Sequence, residues 1–308
     1  MFPHPLASFV LFAFFPFAFV IFKRNPPALA TAIVVLVGSL FLPEGAALPE
    51  MPLIPTFEKE KVTYFACFLA MLTHHRKTFG SARIGTGPEL LMIPMMLGFL
   101  GSISMNTQPM FNEGAMREAL GAYWFFARSL EDFLTLVMPF IVGRAMFRSL
   151  EDLQVLMRWI VIVGLVYTVL IVIEIVMAIP FHVWQLSQVI YGISLRPMWR
   201  WGVIQPIVFM DNGLSVASYM ALAVICAGAL LKAKIPIGIP FAGRARLIVL
   251  AGLTMTWNVA GVLYGYIMTI AGIVLKARGF ARVAAIIAFL ACLYPALRVA
   301  DVFPDEKL

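Results

Sequence analysis

The sequence predicts an all-α fold: a polytopic bundle of about ten membrane segments forming a single domain over residues 1–308, with both chain ends on the outer side. Three observations predict it. Of the 308 residues, 62% are hydrophobic and only 13% charged, and the mean hydropathy is +0.93; a soluble globular domain carries about 25% charged residues. The apolar residues fall into ten runs, and the basic residues are shared unequally between the two sets of connections that alternate along the chain.

A helix needs about 20 apolar residues to cross roughly 30 Å of hydrocarbon. The runs cover approximately 5–22, 27–42, 62–72, 90–105, 133–147, 159–179, 207–231, 247–257, 259–275 and 283–297. The third and eighth are short, which suits re-entrant or tilted segments. The first lacks a basic n-region, and Lys23 and Arg24 follow it rather than precede it, so it reads as a retained helix and not a signal peptide. SLED occurs at 129–132 and again at 149–152, each time before an apolar run. Ser with an acid three residues on is a capping-box-like helix start, so each is expected to open a helix. Between Arg246 and Lys276 a single helix would join two basic faces. A tight hairpin turning at Asn258 fits the charges better, with Gly261 and Gly265 forming a GxxxG that lets helices approach closely.

Short cytoplasmic loops are enriched in Lys and Arg. One set of connections holds 15 of the 23 basic residues, among them Lys23, Arg24, Arg76, Lys77, Arg144, Arg148, Lys232 and Lys276. The opposite set, with both tails, holds eight, including Lys59, Lys61, Arg128, Arg196 and Arg200. The formal charge of +7 is therefore mostly topology signal and does not call for a nucleic-acid partner. His74-His75-Arg76-Lys77 reads as a cluster meeting anionic lipid heads, with a metal site as the weaker alternative. Cys67, Cys226 and Cys292 have no paired spacing and read as packing residues.

Glu174 stands in VYTVLIVIEIVMAIP near the outer end of its helix. A carboxylate there is costly, so it either faces a wet cavity as a catalytic group or makes a structural hydrogen bond. His182, just past Pro180, reads as an acid or base, or as an interfacial structural residue. Residues 102–132, with Arg117, Arg128 and the aromatic group 123–126, read mainly as an interfacial anchor.

The stretch LRPMWRWGVIQPIVFMDNG sets Arg196 and Arg200 among Trp199 and Trp201 at the outer mouth of an apolar helix. The tryptophans belong at headgroup level, and the arginines either reach lipid phosphate or hold a pyrophosphate through their planar forks. Asp211 and Asn212 either cap a helix or hold a polar substrate group.

SMNTQP, LVYTVLIVIE, FHVWQLSQVIYG and RWGVIQPIVFMDNGLSVASYMALA together resemble the O-antigen ligase and O-antigen polymerase superfamily, most strongly between Met105 and Leu222. The resemblance implies a bacterial inner-membrane enzyme acting at the periplasmic face. Such an enzyme moves a glycan from a lipid-linked oligosaccharide on undecaprenyl pyrophosphate to a sugar acceptor, without metal or cofactor. It implies that Arg200 stabilises the leaving pyrophosphate, with Arg196 and Glu174 as companions. Two features depart from the family. Gln205 and Asn212 stand where it has a second arginine and a histidine, and the family continues with a large periplasmic loop and further helices, so the chain resembles its front part. A rival reading is a non-catalytic or transporter-like component working with polysaccharide assembly proteins, in which Glu174 would serve ion coupling.

Overall fold

The computed structural model describes residues 5–48, 56–81, 90, 92–105, 108–112, 115–117, 122–181, 185–195, 199–200, 202–239 and 241–299. Every predicted apolar run falls on a helix over most of its length. The helices are α1 (Pro5–Arg24), α2 (Pro27–Phe41), α3 (Lys59–His74), α4 (Arg76–Gly80), α5 (Met92–Met105), α6 (Ala122–Asp132), α7 (Met138–Met146), α8 (Leu150–Phe181), α9 (Leu186–Tyr191), α10 (Gly213–Lys232), α11 (Ala242–Thr254), α12 (Val259–Val274) and α13 (Ala277–Val299). Among the described residues two antiparallel ribbons interrupt them, β1 (Met110–Asn112) with β2 (Ala115–Arg117) and β3 (Trp199–Arg200) with β4 (Val203–Ile204).

The core is built where small residues let helices close on one another. Helices α1, α2 and α3 form one group, α8, α10, α11 and α12 another, and α2 against α8 joins them. A Cβ added at Gly261 would stand 2.8 Å from the Ala217 Cβ, and one at Gly265 would stand 3.1 Å from that of Ala221. The predicted GxxxG is thus the seam between α12 and α10. The hairpin also forms where the charges placed it: α11 ends at Thr254, and the Asn258 side chain accepts from Gly261 N at 3.0 Å to cap α12. Dispersion at such close approaches, rather than hydrophobic drive, is what holds apolar helices together in an apolar solvent.

The two SLED segments part company. At α8, Asp152 N donates to Ser149 Oγ at 3.1 Å and Ser149 N to Asp152 Oδ2 at 3.0 Å, a reciprocal capping box. The first SLED opens nothing, contrary to expectation. It lies at the end of α6, which runs on through a π-helical turn, Phe133–Val137, into α7. Pro139 has no N–H to return to Thr135, so the ladder is interrupted at this point, and Met138 N reaches back five residues to Phe133 O. The acids of that SLED serve ion pairs instead: Arg128 with Glu131 at 3.2 Å and with Asp132 at 3.4 Å, and Lys61 with Glu131 at 2.9 Å.

Contacts between connections sort them into two ends. At one, Arg148 donates to Thr78 O at 2.5 Å and Ser81 Oγ at 3.0 Å, His75 Nε2 lies 3.1 Å from Phe22 O, and Lys232 donates to Gly272 O at 2.7 Å. This end carries the basic connections. His75 is therefore engaged with α1, its ring tilted at 53° against that of Phe22, rather than presented wholly to lipid. At the other end Tyr191 Oη donates to Phe41 O at 3.0 Å and Gln205 Nε2 to Trp257 O at 3.2 Å. Cys67 and Cys226 are buried as packing residues, whereas Cys292 is exposed on α13.

Candidate functional site

The site grows from a turn that the sequence places inside an apolar run. Residues 207–210 are apolar enough to begin a helix, yet α10 starts only at Gly213. Asn212 stops it, accepting from Ser215 N at 2.9 Å and donating to Asp211 Oδ2 at 2.5 Å. The capping alternative for Asn212 is thus the one observed. Upstream, Val208 adopts φ +57°, a left-handed conformation that costs a β-branched residue about 1–3 kcal/mol unless its surroundings hold it there.

Two charged side chains hold it. Glu174, 2% exposed, accepts from Val208 N at 2.6 Å and Ile207 N at 3.1 Å through the same oxygen, Oε2. The partners of Oε2 are thus backbone amides, while Oε1 is buried with no hydrogen-bond partner. From the opposite side Lys59, 4% exposed at the first turn of α3, donates to Phe209 O at 2.7 Å. An ammonium at a helix N-terminus opposes the macrodipole; the Glu44 carboxylate, 3.5 Å away, compensates. Burial pushes the Glu44 carboxyl above its usual range, against the lowering effect of Lys59, with Asp211 adding to the rise. Burial likewise lowers the Lys59 ammonium, opposed by Glu44. Both partners drift toward their neutral forms, so desolvation outweighs their attraction.

Beside the turn a cleft of about 280 Å³ opens, lined by Glu44, Lys59, Glu60, Tyr64, Asp211 and Ser215 among others. The ribbon carrying Trp199 and Arg200 leads into the same turn, pairing Trp199 with Ile204 and Arg200 with Val203 around Gly202 at φ +75°. The Trp199 side chain is 57% exposed. Gln205 is buried, bonded to Trp257 O, and lies against the Gly213 backbone. Gln185 pins the preceding loop, its amide pairing both the N–H and C=O of Leu195 at 2.6 and 2.5 Å.

Of the predicted residues, the structure brings Glu174, Asp211 and Asn212 to one turn and runs the Trp199–Arg200 ribbon into it. His182, Arg196 and Trp201 lie outside the described residues. Sequence reasoning missed Glu44 and Glu60, and it counted Lys59 only as a charge of an outer connection. The available signal was their position beside an apolar run on the side otherwise poor in basic residues. Among the described residues no group of three His, Cys, Asp or Glu is placed to hold a metal ion.

Comparison with models of protein families, with curated proteins and with solved structures gave no match. The class that the fold defines is a predominantly helical protein with, among the described residues, three helices long and apolar enough to cross a membrane, Pro5–Arg24, Leu150–Ala178 and Gly213–Lys232.

Proposed function

We propose that the chain is a multi-pass protein of the bacterial inner membrane, with about ten spans and its cleft toward the periplasm, that transfers a glycan from undecaprenyl pyrophosphate to a sugar acceptor. The observation that carries this reading is a mixed-charge cleft joined by one short turn to the ribbon of Trp199 and Arg200, at the end opposite the basic connections. In the transfer, an acceptor hydroxyl oxygen bonds to the anomeric carbon, the bond from that carbon to the pyrophosphate oxygen breaks, and the pyrophosphate leaves. Arg200 would offset the charge that develops on the leaving group. The hydroxyl proton needs a base. With Oε2 of Glu174 taken by two backbone amides, we assign that role to His182 or to the exposed carboxylates of the cleft.

One observation favours the second reading, a non-catalytic carrier-binding component of a polysaccharide assembly system. Gln205 and Asn212, which stand where the family resembled has arginine and histidine, both have structural work: Gln205 ties the α11–α12 turn and Asn212 caps α10. Transfer from a lipid-linked oligosaccharide in liposomes separates the two. Under the transferase reading Arg200→Ala lowers turnover at least about tenfold, the scale of one charge-assisted contact. Carrier binding without turnover supports the second reading, and absence of carrier binding removes both.

A further inference from the structure

The ligand chemistry of the cleft is legible from its donors and acceptors. Lys59 is more than nine-tenths buried and lines the cleft. An ammonium has three protons to donate. One goes to Phe209 O at 2.7 Å, while Glu44 at 3.5 Å forms an ion pair longer than an ordinary hydrogen bond. The buried ammonium thus retains donor capacity, and an acceptor from a ligand would use it. Around it stand Glu44, Glu60 and Asp211, which when ionised only accept, and Tyr64 and Ser215, whose hydroxyls do both.

Few ligand classes satisfy such a lining. A phosphate offers acceptors to Lys59 but meets three carboxylates. A metal ion or an amine suits the carboxylates but meets the ammonium. A polyhydroxylated ligand suits both, because each hydroxyl donates one hydrogen bond and accepts others, and vicinal hydroxyls match a carboxylate edge. The volume, about 280 Å³, also suits one sugar ring at the low end of small-molecule pockets.

We propose that this cleft is the seat of a sugar, the terminal residue of the acceptor glycan, held by Lys59 from within and by Glu60 and Asp211 at the rim. This rests on the transfer reading for its acceptor role; the sugar site itself stands on the lining alone.

The test uses the full chain in a sugar-free detergent. Saturation-transfer NMR is recorded with the methyl glycosides of glucose, galactose, mannose and N-acetylglucosamine, and separately with calcium ions, inorganic phosphate and ethanolamine as competitors. Undecaprenyl pyrophosphate binding is measured in parallel. The expected result is saturation of at least one glycoside, weakened about tenfold or more in Glu60→Gln/Asp211→Asn, as for the loss of charge-assisted hydrogen bonds, with carrier binding intact. Both rim residues are exposed, so the double variant should keep the fold, which its unfolding temperature verifies. Saturation of none of the four glycosides, an unchanged signal in the double variant, or displacement by calcium, phosphate or ethanolamine overturns the proposal. Glycoside binding without carrier binding leaves the sugar site standing and defeats the transfer reading; carrier binding without glycoside binding does the reverse.

Discussion

At the scale of single residues, the site is organised by charges serving the backbone. Glu174 satisfies two amides of a strained turn, and a buried amide left without its partner costs about 1–3 kcal/mol. Glu174→Ala should therefore lower the unfolding free energy by about 2–4 kcal/mol, and Glu174→Gln, which keeps a carbonyl oxygen in place, by clearly less. Thermal unfolding in detergent distinguishes them; equal stabilities would mean that the carboxylate does not hold the turn. The sequence flagged Glu174 as an anomaly, since a carboxylate in an apolar helix is conspicuous in one dimension. It did not show which partner resolves the anomaly, because Ile207 and Val208 are 33 and 34 residues away and amides leave no trace in residue type. Lys59 was harder still: a lysine in a polar connection looks solvated until a neighbour from residue 209 buries it.

Glu44 gives the same scale a pH dependence. Its folded pKa lies above the ordinary value of 4.5, so the fold favours the protonated acid. The stability this contributes is full below the ordinary value and is lost as pH rises through the folded pKa. Glu44→Gln removes that loss. Between about pH 4 and 8 the unfolding temperature of the wild type relative to the variant should fall with rising pH. A constant difference across that range would show that Glu44 titrates as an ordinary exposed carboxylate.

At the scale of elements, helices were legible and their ends were not. Ten apolar runs became helices because length and hydropathy decide that much locally. Start signals were ambiguous: the same four letters cap α8 but sit inside the α6–α7 helix, where continuation through a π-turn and ion pairs to Lys61 and Arg128 outweigh a cap. The C-terminus of α10 has Lys232 in its last turn and Pro236 beyond it as stop signals, but lacks the usual glycine. Ile235 N donates to Leu230 O at 2.9 Å and Lys234 N to Leu231 O at 3.0 Å, a Schellman motif with Lys234 at φ +58° in the position usually held by glycine. The Lys234 side chain is exposed, so Lys234→Gly relieves left-handed strain without loss of packing and should stabilise the protein by about 0.5–1 kcal/mol. A destabilised variant would mean that the lysine makes a compensating contact at this end.

At the scale of the molecule, the asymmetry of charge becomes an asymmetry of chemistry. The end rich in Lys and Arg closes on itself through Arg148 and Lys232, whose partners are backbone carbonyls and a serine. At the other end, three of the basic residues that the sequence assigned there, Lys59, Lys61 and Arg128, are neutralised by Glu44, Glu131 and Asp132. Internal pairing thus offsets three basic charges at this end, while the Lys/Arg bias between the two ends remains the signal that would orient the bundle. A single cysteine at position 60 or 211, beside the cleft, should then react with an impermeant maleimide added outside intact cells, while one at position 77 or 276 should react only after the membrane is opened. Wild-type Cys292 is exposed, so the experiment is run in a Cys292→Ser background. Reaction of both pairs from the same side would show that the two ends of the bundle do not lie on opposite faces of a membrane. Reaction of position 77 alone from outside would keep the two ends but turn the cleft toward the cytoplasm, which would rule out the proposed transfer at the periplasmic face.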